Sequence, residues 1–167
     1  MTDPQWTIRP AEPQDTDEIY GLIVDLAEYE RAAEQVVATP AMVSDSLFPR
    51  DREPALWGHV VVDPTTGDLA GMVLWFLNYS TWEGTHGIYV EDLYVKPAAR
   101  SHGLGRRLLA TLATTCVERG YGRLDLSVLD WNTPSIDFYN HSGGEPQTDW
   151  IGYRFGSDTL RSLASGR

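Results

Sequence analysis

Two adjacent carboxylates, Glu91 and Asp92, interrupt the apolar run Val90-Glu91-Asp92-Leu93-Tyr94-Val95, which ends at Pro97. A carboxylate inside a strand is costly unless it is paired or near water. Each is therefore either an ion-pair partner, with Arg100 or Arg123 available to Asp92, or a proton acceptor whose pKa burial has raised. Strand alternation sends neighbours to opposite faces, so the spacing predicts that the two side chains part company. Shortly after comes Arg100-Ser101-His102-Gly103-Leu104-Gly105-Arg106-Arg107, where Gly103 and Gly105 leave the backbone uncovered at the start of a helix. Unpaired N–H groups and the positive end of the helix dipole favour an anion there, and the arginines add charge. A pyrophosphate is the natural guest, and a plain tight turn is the alternative. A dinucleotide-binding turn wants a third glycine where Leu108 stands. A Walker loop wants Gly-Lys-Ser/Thr, which does not follow. The pattern that remains is Arg/Gln-x-x-Gly-x-Gly/Ala.

These groups need a strand, a loop and a helix to hold them. Leu104, Leu108, Leu109, Leu112, Ala113, Cys116 and Val117 recur at helical spacing and predict a helix to Gly120. Upstream, residues 7–10 read as a first strand, and Asp15 or Thr16 caps a helix whose stripe is Ile19, Leu22, Ile23 and Leu26, ending near Arg31. Thr39-Pro40 opens a second helix to Leu47. Residues 56–62 and 69–77 predict a hairpin across turn chemistry at 63–68, and residues 78–84 a polar loop before a central strand from Gly87 to Val95. Downstream, residues 124–129 alternate as a strand, Asn132-Thr133-Pro134 opens a short helix stopped by Gly143-Gly144, 150–155 predict a last strand, and 158–163 a tail helix. Antiparallel strands followed by a strand-helix-strand crossover make an α+β, or mixed α/β, sheet.

Bulk properties narrow the partners. The chain has 167 residues, 42% of them hydrophobic, without composition shifts, so one domain over 1–167 is expected. Thirteen basic against twenty-four acidic side chains leave a net charge of −11. That charge disfavours nucleic acid and suits either solubility alone or a cationic substrate. With no leader pattern and no long apolar run, no membrane partner and a cytoplasmic location are expected. Cys116 is the only cysteine, on an apolar helix face, and His59, His86, His102 and His141 lack ligand spacing, so no metal site is expected.

Tyr139 sits on the short helix that Asn132, Thr133, Pro134 and Ser135 begin, and by itself reads as a half-buried tyrosine with a bonded hydroxyl. The pattern Arg100-x-x-Gly103-x-Gly105, together with Phe138-Tyr139-x-x-x-Gly143, resembles the GNAT family of acetyl-CoA-dependent N-acetyltransferases. Further motifs follow in order: Ile8-Arg9-Pro10-Ala11, Leu26-Ala27-Glu28-Tyr29-Glu30, Tyr79-Ser80-Thr81-Trp82, the Glu91-Asp92 strand and Trp131-Asn132. Over nearly the whole chain they look like its diamine branch, which includes spermidine/spermine and thialysine acetyltransferases.

The resemblance implies a GNAT fold, acetyl-CoA as donor, and direct transfer to a primary amine of a small di- or polyamine or thialysine-like substrate. It also implies a homodimer. It makes Tyr139 the acid that protonates the departing thiolate and Glu91 the group that binds or deprotonates the amine, with Tyr29, Glu30, Trp82 and Asp92 around the acceptor. Leu93, Tyr94 and Val95 would present backbone groups to the acetyl and pantetheine portion. Ser101, His102, Gly103, Leu104, Gly105 and Arg106 would cradle the pyrophosphate. Asp125, Leu126 and Ser127 would flank the cofactor arm with Asn132, Thr133, Pro134 and Ser135. Without the likeness, Tyr29 and Glu30 read as a solvated helix end and Trp82 as an apolar plug. Ser101 stands where glycine is frequent in the family. Ser80-Thr81 and Asp149-Trp150-Ile151-Gly152-Tyr153 lack the acidic loop and the Glu-Gly-Trp of spermidine/spermine enzymes, which favours a shorter or less charged amine. A non-catalytic acetyl-CoA sensor and a protein acetyltransferase are the alternatives.

Overall fold

The computed structural model describes residues 5–166. Two compact units divide the chain after Leu129. The first holds β1 (Thr7–Pro10), α1 (Thr16–Tyr29), α2 (Pro40–Leu47), β2 (Trp57–Val62), β3 (Leu69–Ser80), β4 (Thr85–Val95), α3 (Leu104–Arg119) and β5 (Leu124–Leu126). The strands form one sheet in sequence order. The first four pair antiparallel and β5 runs parallel to β4, because α3 carries the chain back across the sheet.

Alternation sorts the side chains. Val61, Val73, Trp75, Ile88 and Val90 leave the sheet on one face and pack with Leu104, Leu108, Leu112 and Cys116 of α3. Val60, Met72, Leu74 and Tyr94 leave on the other and meet Ile19 and Leu22 of α1 and Val43 and Leu47 of α2. Each such burial is worth roughly 1.5–3 kcal/mol, so both faces of the sheet are anchored. Cys116 is buried as its helix face required. Thr39 caps α2 by accepting from the Met42 amide at 3.3 Å. Asp15 does something other than cap: its carboxylate takes Arg9 Nη1 and Nη2 at 2.6 and 2.8 Å and the Glu12 amide at 2.8 Å, tying β1 to the turn before α1.

Three expectations need correction. Residues 78–84 are not a loop: β3 and β4 pair out to Ser80 and Thr85, and only residues 81–84 turn. Polar composition mimicked a loop there, whereas cross-strand contacts such as the Tyr79 and His86 rings at 5.2 Å extend the ladder. The strand expected over 124–129 stops at Leu126, where β4 departs from regular pairing. Residues 150–155 form no strand. Their unit contains the helices α4 (Thr133–His141) and α5 (Ser157–Ala164) and, among the described residues, no strand whose backbone could pair with theirs.

Candidate active site

The site starts from a fault in the ladder between β3 and β4. Leu74 pairs with Asp92 and Trp75 with Val90, so Glu91 is an extra residue, a bulge. Val90 and Leu93 both contribute to the cluster under α3, and two residues rather than one lie between them. Glu91 and Asp92 therefore both leave the strand on the α1 side, against the alternation expected from sequence. The bulge also marks the end of pairing with β5, whose last rung joins Val90 to Leu126. Beyond it, the β5-side edge of Glu91, Asp92, Leu93, Tyr94 and Val95 has no strand partner among the described residues, and apart from the Val95 carbonyl, which Arg100 takes, its outward backbone groups are open.

Electrostatics separates the two carboxylates. Asp92 is half-buried, and burial, then Glu91, then Glu30 push its pKa up to about 6. Glu91 is exposed at the bulge. Glu30, at the end of α1, is itself raised by burial. Three carboxylates from two elements thus share one field, a site that favours a cation. Beside them, on the same face, Phe76 and Tyr89 stack across the ladder with centroids 5.0 Å apart, and the Tyr89 hydroxyl shares a hydrogen bond with Ser127 Oγ at 2.6 Å. Sequence reading missed this pair. The signal was present in the alternation of both strands, but pairing Phe76 with Tyr89 requires the register.

Trp82 does not join the group. It lies in the 81–84 turn and is 88% exposed. Six residue steps along β3 separate the Ser80 rung from the Leu74 rung. At ~3.3 Å per residue that places it about 20 Å along the hairpin from the carboxylates.

The glycine loop leaves unpaired donors at the start of α3. Gly103 begins α3 in the left-handed region at φ 69°, with no side-chain cap, so the amides of Leu104, Gly105 and Arg106 have no intrahelical acceptor. A Cβ on Gly103 would meet nothing within 4 Å, and the approach is open. His102 Nδ1 lies 3.2 and 2.9 Å from the Ala99 and Arg100 carbonyls, to which it donates. Ser101 also has φ 69°, a conformation strained for any residue but glycine. Ser101→Gly should relieve that strain at some entropic cost. The expected gain is about 0.5 kcal/mol, a Tm rise of ~1–2 °C by calorimetry.

Two of the three arginines are engaged elsewhere. Arg107 Nη2 donates to the Trp6 carbonyl at 3.0 Å. Arg100 donates Nε to the Val95 carbonyl at 3.0 Å, and its guanidinium lies 5.4 Å from the Tyr29 ring centroid and 5.8 Å from that of Tyr94. Arg106 is exposed. On β5, Asp125 is occupied by Arg123 Nε at 2.9 Å and by Asn78 Nδ2 at 2.8 Å, which leaves Leu126 and Ser127 nearer the open edge.

In the second unit, Asn132 is buried and caps α4 by accepting from the Ser135 amide at 3.3 Å, with Thr133 and Pro134 in the first turn. Tyr139 is half-buried on α4, its ring 5.1 Å from that of Phe138. Among the described residues, no group of three or more His, Cys, Asp or Glu could hold a metal ion, and no helix is long and apolar enough to cross a membrane.

Residues 12–143 match the acetyltransferase (GNAT) family model. The thialysine N-epsilon-acetyltransferase of Bos taurus is 34% identical over 94% of this chain and 96% of its own. The L-ornithine N5-acetyltransferase NATA1 of Arabidopsis thaliana is 28% identical over 93% of this chain and 86% of its own. An integron cassette protein from the mobile metagenome of V. cholerae superposes with a TM-score of 0.77 at 20% identity, over 95% of this chain and 97% of that one, a likeness of fold.

Proposed function

The chain belongs to the acetyltransferase (GNAT) family, and from that premise we propose that it carries the acetyl group of acetyl-CoA to a side-chain amine of a small diamine or diamino acid. Thialysine and ornithine, named for two relatives, share that chemistry: one amine to be acetylated and a second charge to be held. The observation that carries the reading is the bulge, which turns two carboxylates to one side of a strand whose other edge is open.

The residues divide the work. Glu91 and Glu30 hold the cationic acceptor. Asp92, with a pKa of about 6, takes the proton from its ammonium group and so frees the nitrogen lone pair. We assign the base to Asp92 rather than Glu91, because a carboxylate lifted towards neutrality is the better acceptor. Acetyl-CoA supplies an activated thioester; the C–N bond forms as the C–S bond breaks. Backbone groups of Leu93, Tyr94 and Val95 orient the acetyl and pantetheine portion and meet the charge developing on the carbonyl oxygen. The amides of Leu104, Gly105 and Arg106, with Ser101, His102 and Gly103 shaping the loop, hold the pyrophosphate. Tyr139 gives its hydroxyl proton to the leaving sulfur, and the proton shed by the newly acylated nitrogen restores it. In this reading 1–167 acts as one domain and works as a cytoplasmic homodimer.

A panel of thialysine, ornithine, short diamines, spermidine and lysine peptides, assayed by thiol release from acetyl-CoA, tests the proposal. The small diamino acids and diamines should lead, and Tyr139→Phe should lower kcat about 10²-fold with acetyl-CoA binding intact. Tight acetyl-CoA binding without turnover of any amine would mark a sensor instead, and preference for peptides a protein acetyltransferase.

A further inference from the structure

The arginine that opens the glycine loop was expected to add charge beside the pyrophosphate, yet its side chain turns the other way. Its guanidinium faces Tyr29, the last residue of α1, and Tyr94 of β4, at 5.4 and 5.8 Å from their ring centroids. Its Nε is committed to the Val95 carbonyl at 3.0 Å. Tyr94 is buried in the cluster beneath α1, so one of the two rings is fixed, while Tyr29 stands at the helix end, partly exposed. Glu30, the C-terminal cap of α1, follows directly and donates its amide to the Leu26 carbonyl at 2.9 Å.

We propose that Arg100 is a positioning residue for the acceptor: by clamping Tyr29 to β4 it fixes the end of α1, and with it Glu30, opposite Asp92. The inference rests on the acetyltransferase reading above. Its physical basis is the planar guanidinium, which lies against aromatic faces while one N–H remains bonded to a carbonyl. An ammonium group at the end of a flexible stem does not reproduce both contacts. The amides at the start of α3 do not depend on that side chain, since Gly103 sets their conformation. Loss of the clamp should therefore be felt by the amine and not by the coenzyme, although the residue belongs to the coenzyme motif.

Steady-state kinetics with thialysine and acetyl-CoA tests this. Arg100→Lys should raise the KM for thialysine about tenfold, leaving kcat and the KM for acetyl-CoA within about twofold and Tm within ~2 °C. Tyr29→Leu, which severs the same contact from the other side, should reproduce the rise. In the double variant Arg100→Lys/Tyr29→Leu the effects should not add. Additive effects, or a rise confined to the acetyl-CoA KM, would overturn the inference. A wild-type protein inactive on every amine would sink the acetyltransferase reading and this inference together. An active wild type whose acceptor KM is unmoved by either substitution would sink this inference alone.

Discussion

Asp92→Asn should lower kcat/KM for the amine by about 10²–10⁴-fold and at the same time make the protein more stable. Both effects come from one cause. Burial, Glu91 and Glu30 raise the Asp92 carboxyl from 3.8 to about 6 in the folded chain. Between those values the native state binds a proton that the unfolded chain has released, so stability falls as pH rises across that window and the full cost is present above it. Asn carries no charge and removes that cost, about 2 kcal/mol at pH 7 once partial exposure is allowed for. Activity runs the other way: kcat/KM of the wild type should climb with pH through about 6, as the base ionises. A pH profile and a denaturant melt on the same two proteins decide the matter. An Asp92→Asn enzyme of full activity, with the loss carried by Glu91→Gln, would return the base to Glu91.

Arg9→Met should cost about 3 kcal/mol and lower Tm by roughly 6–12 °C without touching the chemistry. The Asp15 side chain is only 5% exposed, and its carboxylate is satisfied by the two Arg9 contacts and the Glu12 amide. Removing the guanidinium strands a buried charge, which costs more than the pair contributes net. The Arg9 hydrogen bond, foremost, holds the Asp15 carboxyl below the usual carboxylate range. Its stabilisation is therefore complete above the ordinary carboxylate pKa and is lost as pH falls through the depressed one, so the gap between variant and wild type should narrow in acid. A Tm drop under ~2 °C at pH 7 would show that β1 and α1 hold together without this pair.

Much of this arrangement is legible without coordinates, and where it is not the reasons are specific. The glycine loop and α3 are local: periodic leucines and a left-handed glycine need only their neighbours, and they lie within a residue of where sequence places them. The same holds for Thr39-Pro40 and for Asn132-Thr133-Pro134, whose caps are side-chain bonds across three residues. Residues 78–80 and 85–86 misled because their polar side chains suit a loop, while their pairing partners lie on the opposite strand. Residues 150–155 misled in the other direction, since apolar β-formers without a partner strand do not make a ladder.

By itself, then, the amino-acid order determined most of the elements and their succession, the uncapped glycine start of α3 and the presence of two carboxylates on the strand before it. Tertiary structure alone decided that Glu91 and Asp92 share a side, that Phe76 lies on Tyr89, that Trp82 sits in the turn at the far end of the hairpin from them and that Arg100 faces Tyr29. The division follows from range. Helix periodicity and caps are written within one turn of chain, but register and bulges belong to two strands at once, and a long side chain such as arginine takes whichever partner the assembled fold brings within reach.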